Sequence, residues 1–504
     1  MDLIIGLDLG TTNCKAVALG LDGSLAGSAE SAHSLSEPQP GWAEERAEDV
    51  WQGAQEVLRA VAQKVIPQHR VIGLCLSAAM HSLLPVGQDG NPLSPALTWA
   101  DQRAMPQAQA LRQDLELRRL LYNRTGCPLQ PLYYPAKLRW LYENDRQTFD
   151  QAARFMGITD WLVYRLTGRW VTEYGLASGT GLLDIRTLHW DPQALGLAGI
   201  SAERLPELVS PFTVVAGLTP EAAKATGLPA GLPVVAGSSD GALANLGAGA
   251  VRPGQSVITV GTSGAVRRVV AQPLIDPAER IWCYLFAEQR WFAGGAINNG
   301  GLALQWVRQH FYADLPGEGG FERLMQDAAG IEPGANGLFL LPYFTGERNP
   351  YWDSQVRALI YGLDLDHNRT HFARAVLEGV AYCLADVWET LDSIPDSEPS
   401  VRLTGAITRS PLWMQILADV LGESLLPIEV SDASVAGAAM LGFQALGRST
   451  SLEELAGQVS ITEAIHPDPA RHDRYQELHQ RFQLLYKQLA SSEPPDQVRP
   501  APPA

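Results

Sequence analysis

Short apolar runs separated by polar or glycine-rich turns open the chain. They predict three strands, "LIIGLDL", "CKAVAL" and "LAGSAE", and the turn "LDGS" between the last two is of the Asp-Gly hairpin type. An amphipathic helix is predicted next over "AEDVWQGAQEVLRAVAQKV", followed by "VIGLCLSAA", a strand apolar enough to be buried on both faces. Strand hairpins followed by a helix and a buried strand indicate an α/β domain.

A similar order of elements recurs in the second half of the chain. "QSVITVGTSGAVRRVV" predicts strand, turn and strand, and the helical stretch "THFARAVLEGVAYCLADVWETL" precedes the short strand "VRLTGA". We interpret this recurrence as an ancient duplication with a boundary near "GAGAVRPGQ". The sequence therefore predicts domains over residues 1–250 and 251–450, and a C-terminal segment, 451–504, of one helix and a disordered Pro-rich tail.

Composition and charge narrow the classes of partner. The chain has 504 residues and a formal net charge of -17, which disfavours nucleic acid or an anionic membrane as the main partner. An anionic small molecule is not excluded, because a few arginines or a metal can invert the field locally. Five cysteines without a CxxC pair indicate buried thiols in a reducing compartment, and "MDLII" has no basic leader. We expect a cytoplasmic protein.

The turn after the first strand carries a carboxylate, a glycine and two hydroxyls. Gly10 lets the backbone approach a phosphate, and Thr11, Thr12 and Asn13 add hydrogen-bond donors. Asp8 at the strand end is suited to hold Mg²⁺, directly or through water. A plain hairpin whose polar side chains satisfy the turn is the simpler interpretation of this stretch alone. No GxxxxGK[ST] and no GxGxxG after a strand is present, so neither phosphate-binding fingerprint applies.

Two further stretches strengthen the phosphate hypothesis. Thr262 and Ser263 lie in the second hairpin turn, and two hydroxyl-bearing hairpins are suited to bind a polyphosphate from opposite sides. Asp240-Gly241 follows an apolar strand and precedes a Gly/Ala-rich helix. Asp240 either caps that helix or acts as a general base that takes a proton from a substrate hydroxyl during phosphoryl transfer.

Side chains suited to a polyhydroxylated ligand follow the buried strand and lie on the next loop. Met80-His81 comes just past "VIGLCLSAA", and "LTWADQRA" supplies Trp99, Asp101 and Arg103. Ring stacking and paired hydrogen bonds are contacts by which such side chains hold polyhydroxylated molecules. The alternatives are a structural histidine and a surface loop with one ion pair.

Many stretches in register resemble the FGGY carbohydrate kinases, members of the actin-like, ribonuclease H-like ATPase superfamily. They include "GLDLGTTNCK", "GWAEE", "AMHSL", "TWADQR", "GSSDG", "VGTSGAVR", "NNGGLALQW", "PYFTGERNPYWD", "TGAITRSPLWMQILAD" and "DASVAGAAMLG". The resemblance covers nearly the whole chain up to the tail. It implies an α/β fold of two ribonuclease H-like (actin-like ATPase) domains with an interdomain cleft. The N-terminal domain would bind sugar and carry the first phosphate hairpin, and the C-terminal domain would bind nucleotide.

The resemblance also implies roles for individual residues, with ATP and Mg²⁺ as cofactors. Asp240 is then the catalytic base, and Asp8 the magnesium-associated carboxylate. The ATP-binding residues that it implies are Thr11, Thr12, Asn13, Gly261, Thr262, Gly301, Gln305, Gly405, Ala406 and Ser410. The substrate-binding residues that we assign with it are Met80, His81, Trp99, Asp101, Arg103, Asp240, Gly241 and Arg267.

Within the family the chain looks most like the gluconate kinases. The run 79–82, Ala-Met-His-Ser, stands where xylulose kinases usually show Gln-Met-His-Gly. Gluconate carries a carboxylate that an arginine fork recognises bidentately, and Arg103 and Arg267 are our candidates for that contact. The expected reaction is the ATP-dependent phosphorylation of D-gluconate to 6-phospho-D-gluconate. A kinase acting on xylulose or another ketose or polyol is the nearest alternative.

Other functions stay open on the sequence. A non-metabolic actin-like ATPase would share the fold, but a chaperone of that type normally carries a further peptide-binding domain. Ala406 stands where the family usually has a second glycine, so a member that has lost activity is a third alternative. We expect a sugar or sugar acid and ATP as partners, without nucleic acid or membrane, and consider a homodimer as the assembly.

Overall fold

The computed structural model describes residues 1–287, 289–315, 318–391, 399–429 and 432–491. The chain divides into two compact units. Unit 1 consists of residues 1–255, 267–293 and the described part of 430–460. Unit 2 consists of residues 256–266, 294–429 and the described part of 461–504. The predicted domain limits at residues 250 and 450 stay a prediction.

Strands and helices alternate along both units. The strands are β1 (Asp2–Leu9), β2 (Asn13–Gly20), β3 (Leu25–Ala32), β4 (Glu44–Glu45), β5 (Arg70–Ala78), β6 (Leu84–Val86), β7 (Ala96–Leu97), β8 (Arg154–Met156), β9 (Val171–Glu173), β10 (Leu183–Asp184), β11 (His189–Trp190), β12 (Glu207–Val209), β13 (Val214–Gly217), β14 (Pro233–Ser239), β15 (Gln255–Val260), β16 (Gly264–Val270), β17 (Trp282–Ala287), β18 (Arg290–Ile297), β19 (Phe339–Leu341), β20 (Leu359–Tyr361), β21 (Ser400–Gly405) and β22 (Leu425–Pro427). The helices are α1 (Ala47–Val65), α2 (Met105–Arg112), α3 (Leu115–Thr125), α4 (Tyr134–Asn144), α5 (Arg146–Gln151), α6 (Ile158–Thr167), α7 (Tyr174–Ser178), α8 (Pro192–Ala198), α9 (Pro220–Thr226), α10 (Asp240–Gly247), α11 (Gly301–Phe311), α12 (Glu318–Ala329), α13 (Arg369–Leu391), α14 (Pro411–Leu421), α15 (Ala433–Ala445), α16 (Leu452–Ala456) and α17 (Pro469–Ser491). The α/β class predicted from the sequence is confirmed.

The first six-stranded sheet has the order β13-β14-β5-β1-β2-β3. Because short turns join β1, β2 and β3, these strands are antiparallel neighbours, as the hairpin signals predict. Both β1 and β14 run parallel to β5, so the carboxyl ends of these three strands lie at one edge of the sheet. The register aligns Asp8 with Ser77 and Ser77 with Ser238 along that edge. Side chains that follow the three strands therefore come close together.

The predicted amphipathic helix is confirmed as α1 and covers this sheet. Its buried residues recur at spacings of three and four, as in Val50, Ala54, Val57 and Val61. They form one apolar core with buried residues of β1, β2 and β5. Packing against a helix explains why β5 reads as an almost continuous apolar run.

The second six-stranded sheet has the order β17-β18-β16-β15-β21-β22. The predicted strands "QSVITV" and "GAVRRVV" are confirmed as β15 and β16. Along the sheet, β15 and β16 take the places that β1 and β2 have in the first sheet, and β21 takes the place of β5. The recurrence of element order along the sequence thus appears as a recurrence of strand order.

Two long helices of unit 2 match their predictions. The stretch "THFARAVLEGVAYCLADVWETL" lies in α13, whose described side chains are almost all buried. The predicted apolar stripe of the C-terminal helix lies in α17, with Tyr475, Leu478, Phe482 and Leu485 buried. Residues 492–504, most of the predicted tail, lie outside the described residues. Among the helices that the structure describes, none combines the length and the apolar character needed to cross a bilayer.

Candidate active site

The β1–β2 turn of unit 1 presents the predicted phosphate donors. The Gly10 amide donates to the Asn13 carbonyl over 2.9 Å, which closes the hairpin. Thr12 is exposed, whereas Thr11 and Asn13 are half-buried. The indole Nε1 of Trp99 donates to Oγ1 of Thr11 over 2.9 Å, so the loop predicted to hold substrate is fastened directly to the hairpin.

Asp8 ends β1 at the edge where β5 and β14 also end. Burial, together with the charges of Asp432 and Asp240, raises the pKa of its carboxyl to about 7 against the effect of a hydrogen bond from Ser77. Hard cations prefer oxygen ligands and relieve repulsion between neighbouring carboxylates. The carboxylates of Asp8, Asp432 and Asp240 thus offer oxygen ligands of the kind that Mg²⁺ prefers. Asp432 is itself held by Lys15, whose Nζ lies 2.8 Å from Oδ2.

Asp240 is the first residue of α10, directly after the buried strand β14. The helix is capped by the preceding residue, because Oγ of Ser239 accepts a hydrogen bond from the Ala242 amide. The capping role considered for Asp240 thus belongs largely to Ser239. The half-buried Asp240 carboxylate accepts a hydrogen bond from the Gly241 amide over 2.6 Å.

Arg267 of β16 lies against the start of α10. A Cβ atom added at Gly241 would be 3.6 Å from Cδ of Arg267, so glycine leaves room for the long side chain. The Arg267 Nε donates to Oδ1 of Asn245 over 3.1 Å. Burial lowers the pKa of the Arg267 guanidinium, and the charge of Asp240 opposes that effect. The structure thus puts a buried cation beside the predicted catalytic base.

Met80 and His81 follow β5 at the same edge. His81 has φ +72°, and its Nδ1 lies 2.7 Å from the Gly179 carbonyl oxygen. Its ring meets those of Tyr133 and Tyr284 at centroid distances of 5.3 and 5.7 Å. Met80 is buried against Gly179. A strained, packed backbone at this position fixes the direction of the histidine.

Asp101 and Arg103 form a buried ion pair within unit 1. Asp101 is 0% exposed and accepts hydrogen bonds from the Ala43 amide and from Nε of Arg103. The Arg103 guanidinium also contacts Glu44 at 2.7 Å and lies 3.7 Å above the Trp42 ring centroid. Two carboxylates therefore already balance this cation. The surface-loop alternative is wrong in one respect, since the pair lies in the interior.

Two side chains near these loops carry no role in the sequence-based assignment. Lys137 of α4 is fully buried, and its Nζ donates to the carbonyls of His81, Leu97 and Thr98 at 2.6, 3.0 and 2.8 Å. It thereby joins the two segments that carry the predicted substrate residues. The sequence contains one signal for this role. In "YPAKLRWL" the lysine lies on the apolar face of the helix, one turn before Leu141.

Glu45 is the second such side chain. It is 6% exposed, and its Oε1 has no hydrogen-bond partner among the described residues. Burial raises the pKa of its carboxyl to about 8, although Lys137 opposes the shift. It lines a small cavity together with Gly10, Thr11 and Trp99. A carboxyl whose pKa is raised by burial therefore lies next to the first hairpin.

In unit 2 the second hairpin turn is fastened to a helix start. The amides of Gly301 and Leu302 donate to the carbonyls of Gly261 and Thr262 at 2.7 and 3.0 Å. A Cβ atom at Gly301 would lie 2.7 Å from the Gly261 oxygen, so the close approach requires glycine. Thr262 is exposed, and Gln305, one turn into α11, is exposed as well. These side chains are accessible to a ligand of unit 2.

The segment predicted to bind adenosine follows β21. Gly405 has φ +90°, and a Cβ atom there would lie 2.5 Å from the Val260 oxygen, so the backbones of β15 and β21 meet at this glycine. Ala406 opens a short 3-10 helix and is exposed, as is Gly405. Ser410 is buried and caps α14 by accepting a hydrogen bond from the Trp413 amide. The methyl of Ala406 therefore points away from the core.

The predicted residues fall into two groups, one in each unit. The group of unit 1 comprises Asp8, Thr11, Thr12, Asn13, Met80, His81, Trp99, Asp101, Arg103, Asp240, Gly241 and Arg267. The group of unit 2 comprises Gly261, Thr262, Gly301, Gln305, Gly405, Ala406 and Ser410. In the unit 1 group, Asp8, Met80 and Asp240 lie at strand ends of the first sheet, whereas Arg267 lies within β16 of the second sheet.

Comparison with known proteins gives consistent matches over both halves. Residues 3–247 match the family model of the FGGY carbohydrate kinases, N-terminal domain, and residues 256–446 match the C-terminal domain. A gluconokinase of Bacillus subtilis is 33% identical over 466 residues, covering 91% of this chain and 90% of its own. Crystal structures of a gluconate kinase and of a xylulose kinase, both from Lactobacillus acidophilus, superpose with TM-scores of 0.92 and are each 31% identical. They cover 97% and 98% of this chain, and each is itself covered to 99%.

Proposed function

The chain belongs to the FGGY family of carbohydrate kinases and is an ATP-dependent sugar kinase, and we propose that it phosphorylates D-gluconate to 6-phospho-D-gluconate. Relatives named for gluconate and for xylulose are similarly close, so likeness alone does not choose the sugar. We choose D-gluconate over D-xylulose because Arg267 is buried beside Asp240 and Gly241.

A buried guanidinium next to the reacting hydroxyl favours an anionic substrate. Burial lowers the pKa of Arg267, which means that its charge is costly there, and a ligand carboxylate would offset that cost. A neutral ketose offers no such group. The proposal assigns the carboxylate contact to Arg267 because its side chain lies against Gly241 and Asp240, whereas Arg103 pairs with Asp101 and Glu44.

Asp240 is the proposed general base. It is half-buried at the carboxyl end of β14, beside the cation of Arg267. In this proposal Asp240 orients the substrate hydroxyl and accepts its proton as the phosphoryl group is transferred. Met80, His81 and Trp99 hold the sugar chain in position, which lowers the entropic part of the barrier.

Each unit is proposed to contribute phosphate donors from its own hairpin turn. The amides and hydroxyls of Thr11, Thr12 and Asn13 in unit 1 and of Thr262 in unit 2 would donate to phosphate oxygens. Asp8 would hold Mg²⁺, which supplies positive charge to the transferring phosphoryl group when bound. Gly301, Gln305, Gly405, Ala406 and Ser410 are the proposed nucleotide contacts.

A panel of sugars with coupled detection of ADP tests the substrate. We expect D-gluconate to give the highest kcat/KM, and a clear preference for D-xylulose would overturn the proposal. Asp240→Asn should lower kcat by about 10²–10⁴-fold while ATP still binds, since a general base contributes about that much. Near-normal turnover in this variant would exclude Asp240 as the base.

The role of Arg267 has its own test. Arg267→Gln should lower kcat/KM for D-gluconate by about 10²-fold, the cost of roughly two charge-assisted hydrogen bonds, and change that for neutral sugars much less. Arg268→Gln is the matched control, because Arg268 is also buried in β16 but on the opposite face of the strand. If Arg267→Gln lowers kcat/KM equally for gluconate and for neutral sugars, the guanidinium acts on Asp240 and does not contact the substrate carboxylate.

A further inference from the structure

Unit 1 contains a second cavity whose lining is unlike that of the candidate active site. Its volume is about 520 Å³, within the range of small-molecule sites. The side chains that matter for its chemistry are Arg154, Arg169, Trp170, Trp190 and Glu207. The residues that we assign to ATP, sugar or Mg²⁺ do not line it. The cavity thus combines two cations with two large aromatic rings.

Arg154 provides the more buried cation. It begins β8, where the strand register pairs it with Val86. Its Nε is shielded from solvent and has no hydrogen-bond partner among the described residues. The guanidinium carbon lies 5.4 Å from the ring centroid of Trp170, within reach of a cation–π contact. A shielded donor without an acceptor makes this cation costly, and an anionic ligand beside the guanidinium would offset part of that cost.

Arg169 provides the second cation, and its guanidinium forms a weak ion pair. Its Nη2 lies 3.2 Å from Oε2 of Glu207, and the two side chains are 55% and 64% exposed. Exposed pairs of this kind contribute little stability, so an incoming anion can compete with Glu207 for the guanidinium. The cavity carries two positive charges and one negative charge in a chain whose net charge is -17.

The aromatic wall is fixed before any ligand arrives. The Trp170 ring is stacked on Tyr164, with centroids 3.5 Å apart and an angle of 10° between the planes. Trp190 lies on β11 and packs against a neighbouring apolar core. Rigid, half-buried indoles offer flat faces to a ring at a small entropic cost.

We propose that this cavity is a second ligand site, separate from the catalytic residues, for a small phosphorylated compound that contains a ring. The phosphoryl group would lie between Arg154 and Arg169, because guanidinium forks match phosphate oxygens. The ring would lie against Trp170 and Trp190. A sugar phosphate and a nucleoside monophosphate share this chemistry, and the test separates them.

The test is calorimetric titration of the full-length protein with inorganic phosphate, glucose 6-phosphate and AMP. Phosphates can also bind at the ATP site. Binding in the cavity is therefore identified by its dependence on Arg154. Arg154→Gln should raise the Kd of at least one organic phosphate by about tenfold or more, the value of a lost charge-assisted contact. Glu207→Gln should lower that Kd, because Arg169 is then released from its carboxylate. Arg146→Gln removes an exposed charge outside the cavity and should change nothing.

Each outcome has a meaning for the proposal. Tighter binding of glucose 6-phosphate or of AMP identifies which of the two ring classes the cavity takes. If inorganic phosphate binds as tightly as glucose 6-phosphate and AMP do, the indoles of Trp170 and Trp190 do not contact the ligand's ring, and that part of the proposal is wrong. Binding that is the same in the wild type and the Arg154 variant would overturn the site, as would weaker binding after Glu207→Gln. If Arg154→Gln does not fold, Arg169→Gln takes its place, because that side chain is exposed.

Discussion

Replacing Lys137 with methionine should loosen the loops that carry His81 and Trp99. The wild-type ammonium group donates to three carbonyls: that of Leu97, which ends β7, that of Thr98, which follows it, and that of His81. Methionine has a similar length but no donor, so the variant removes these bonds and leaves the volume nearly unchanged. The two segments would then be held together by fewer contacts.

The magnitude follows from two opposing effects. Hydrogen bonds from a charged group contribute about 1.5–3 kcal/mol each, so three bonds are worth roughly 5–9 kcal/mol. Burial opposes them, because it lowers the pKa of Lys137 from 10.5 to about 7, which corresponds to roughly 5 kcal/mol against the charged form. Leu97 and Thr98 also keep a second donor each, from Leu83 and Asp101. The net loss of stability should be about 2 kcal/mol.

The assay is urea unfolding combined with steady-state kinetics. We expect KM for the sugar to rise about tenfold and the affinity for ATP to stay the same, because the loops position the sugar. Lys64→Met is the matched control, since Lys64 donates to the carbonyl of Ser28 at the surface, and should cost less than about 0.5 kcal/mol. A Lys137 variant with wild-type stability and wild-type KM would refute the positioning role.

Three further predictions concern other parts of the molecule. Gly405→Ala should cost more than about 2 kcal/mol and weaken ATP binding, because φ is +90° and the new Cβ would lie 2.5 Å from the Val260 oxygen. Ala406→Gly is its control and should keep ATP affinity within about threefold, as titration will show. Glu45→Gln should flatten the pH dependence of unfolding. The folded pKa of about 8 lies above the unfolded 4.5, so wild-type stability is full below pH 4.5 and is lost as pH rises through 8. His479→Gln should destabilise the protein more at pH 6 than above pH 9. Although burial opposes its charge, hydrogen bonds to Asp386 and Glu389 raise the pKa of His479 to about 9, so its contribution is full below pH 6.5 and is lost through 9.

For each of these variants, one experimental result would contradict the prediction. Unchanged melting of the Gly405 variant would mean that the backbone there adapts to a side chain. Parallel curves of unfolding free energy against pH for wild type and Glu45→Gln would mean that the carboxyl is ionised in the folded protein. If His479→Gln lowers the stability equally at pH 6 and above pH 9, the charge of the imidazolium between α13 and α17 is not the cause of the loss.

Local patterns were sufficient for the elements that carry the site. The alternation of apolar runs and turns predicts β1, β2 and β3, and a spacing of three and four predicts α1, because these signals depend only on neighbouring residues. Asp240 was found in the same way, as a carboxylate between an apolar strand and a Gly/Ala-rich helix. Asp432 has the same signature ahead of α15, and the sequence-based reasoning did not use it.

The partners of charged side chains could not be predicted from the sequence. Arg103 and Asp101 look like a ligand-binding pair on a loop, and the structure shows them in the interior with Glu44, 59 residues away along the chain. Lys137 contacts carbonyls 39 to 56 residues earlier. Whether a charge meets solvent, a ligand or another charge depends on which distant segments fold against it.

The sequence by itself therefore determined the class of fold, the strand order within each hairpin and the residue types at the strand ends. Those features depend on backbone periodicity and turn chemistry, which act over a few residues. Only the tertiary structure decided that Arg267 lies beside Asp240, that Arg103 is balanced by two carboxylates, and that the buried Glu45 has no partner for Oε1 among the described residues. Burial and pairing of charges depend on contacts between distant segments, and these set the pKa values and the available chemistry.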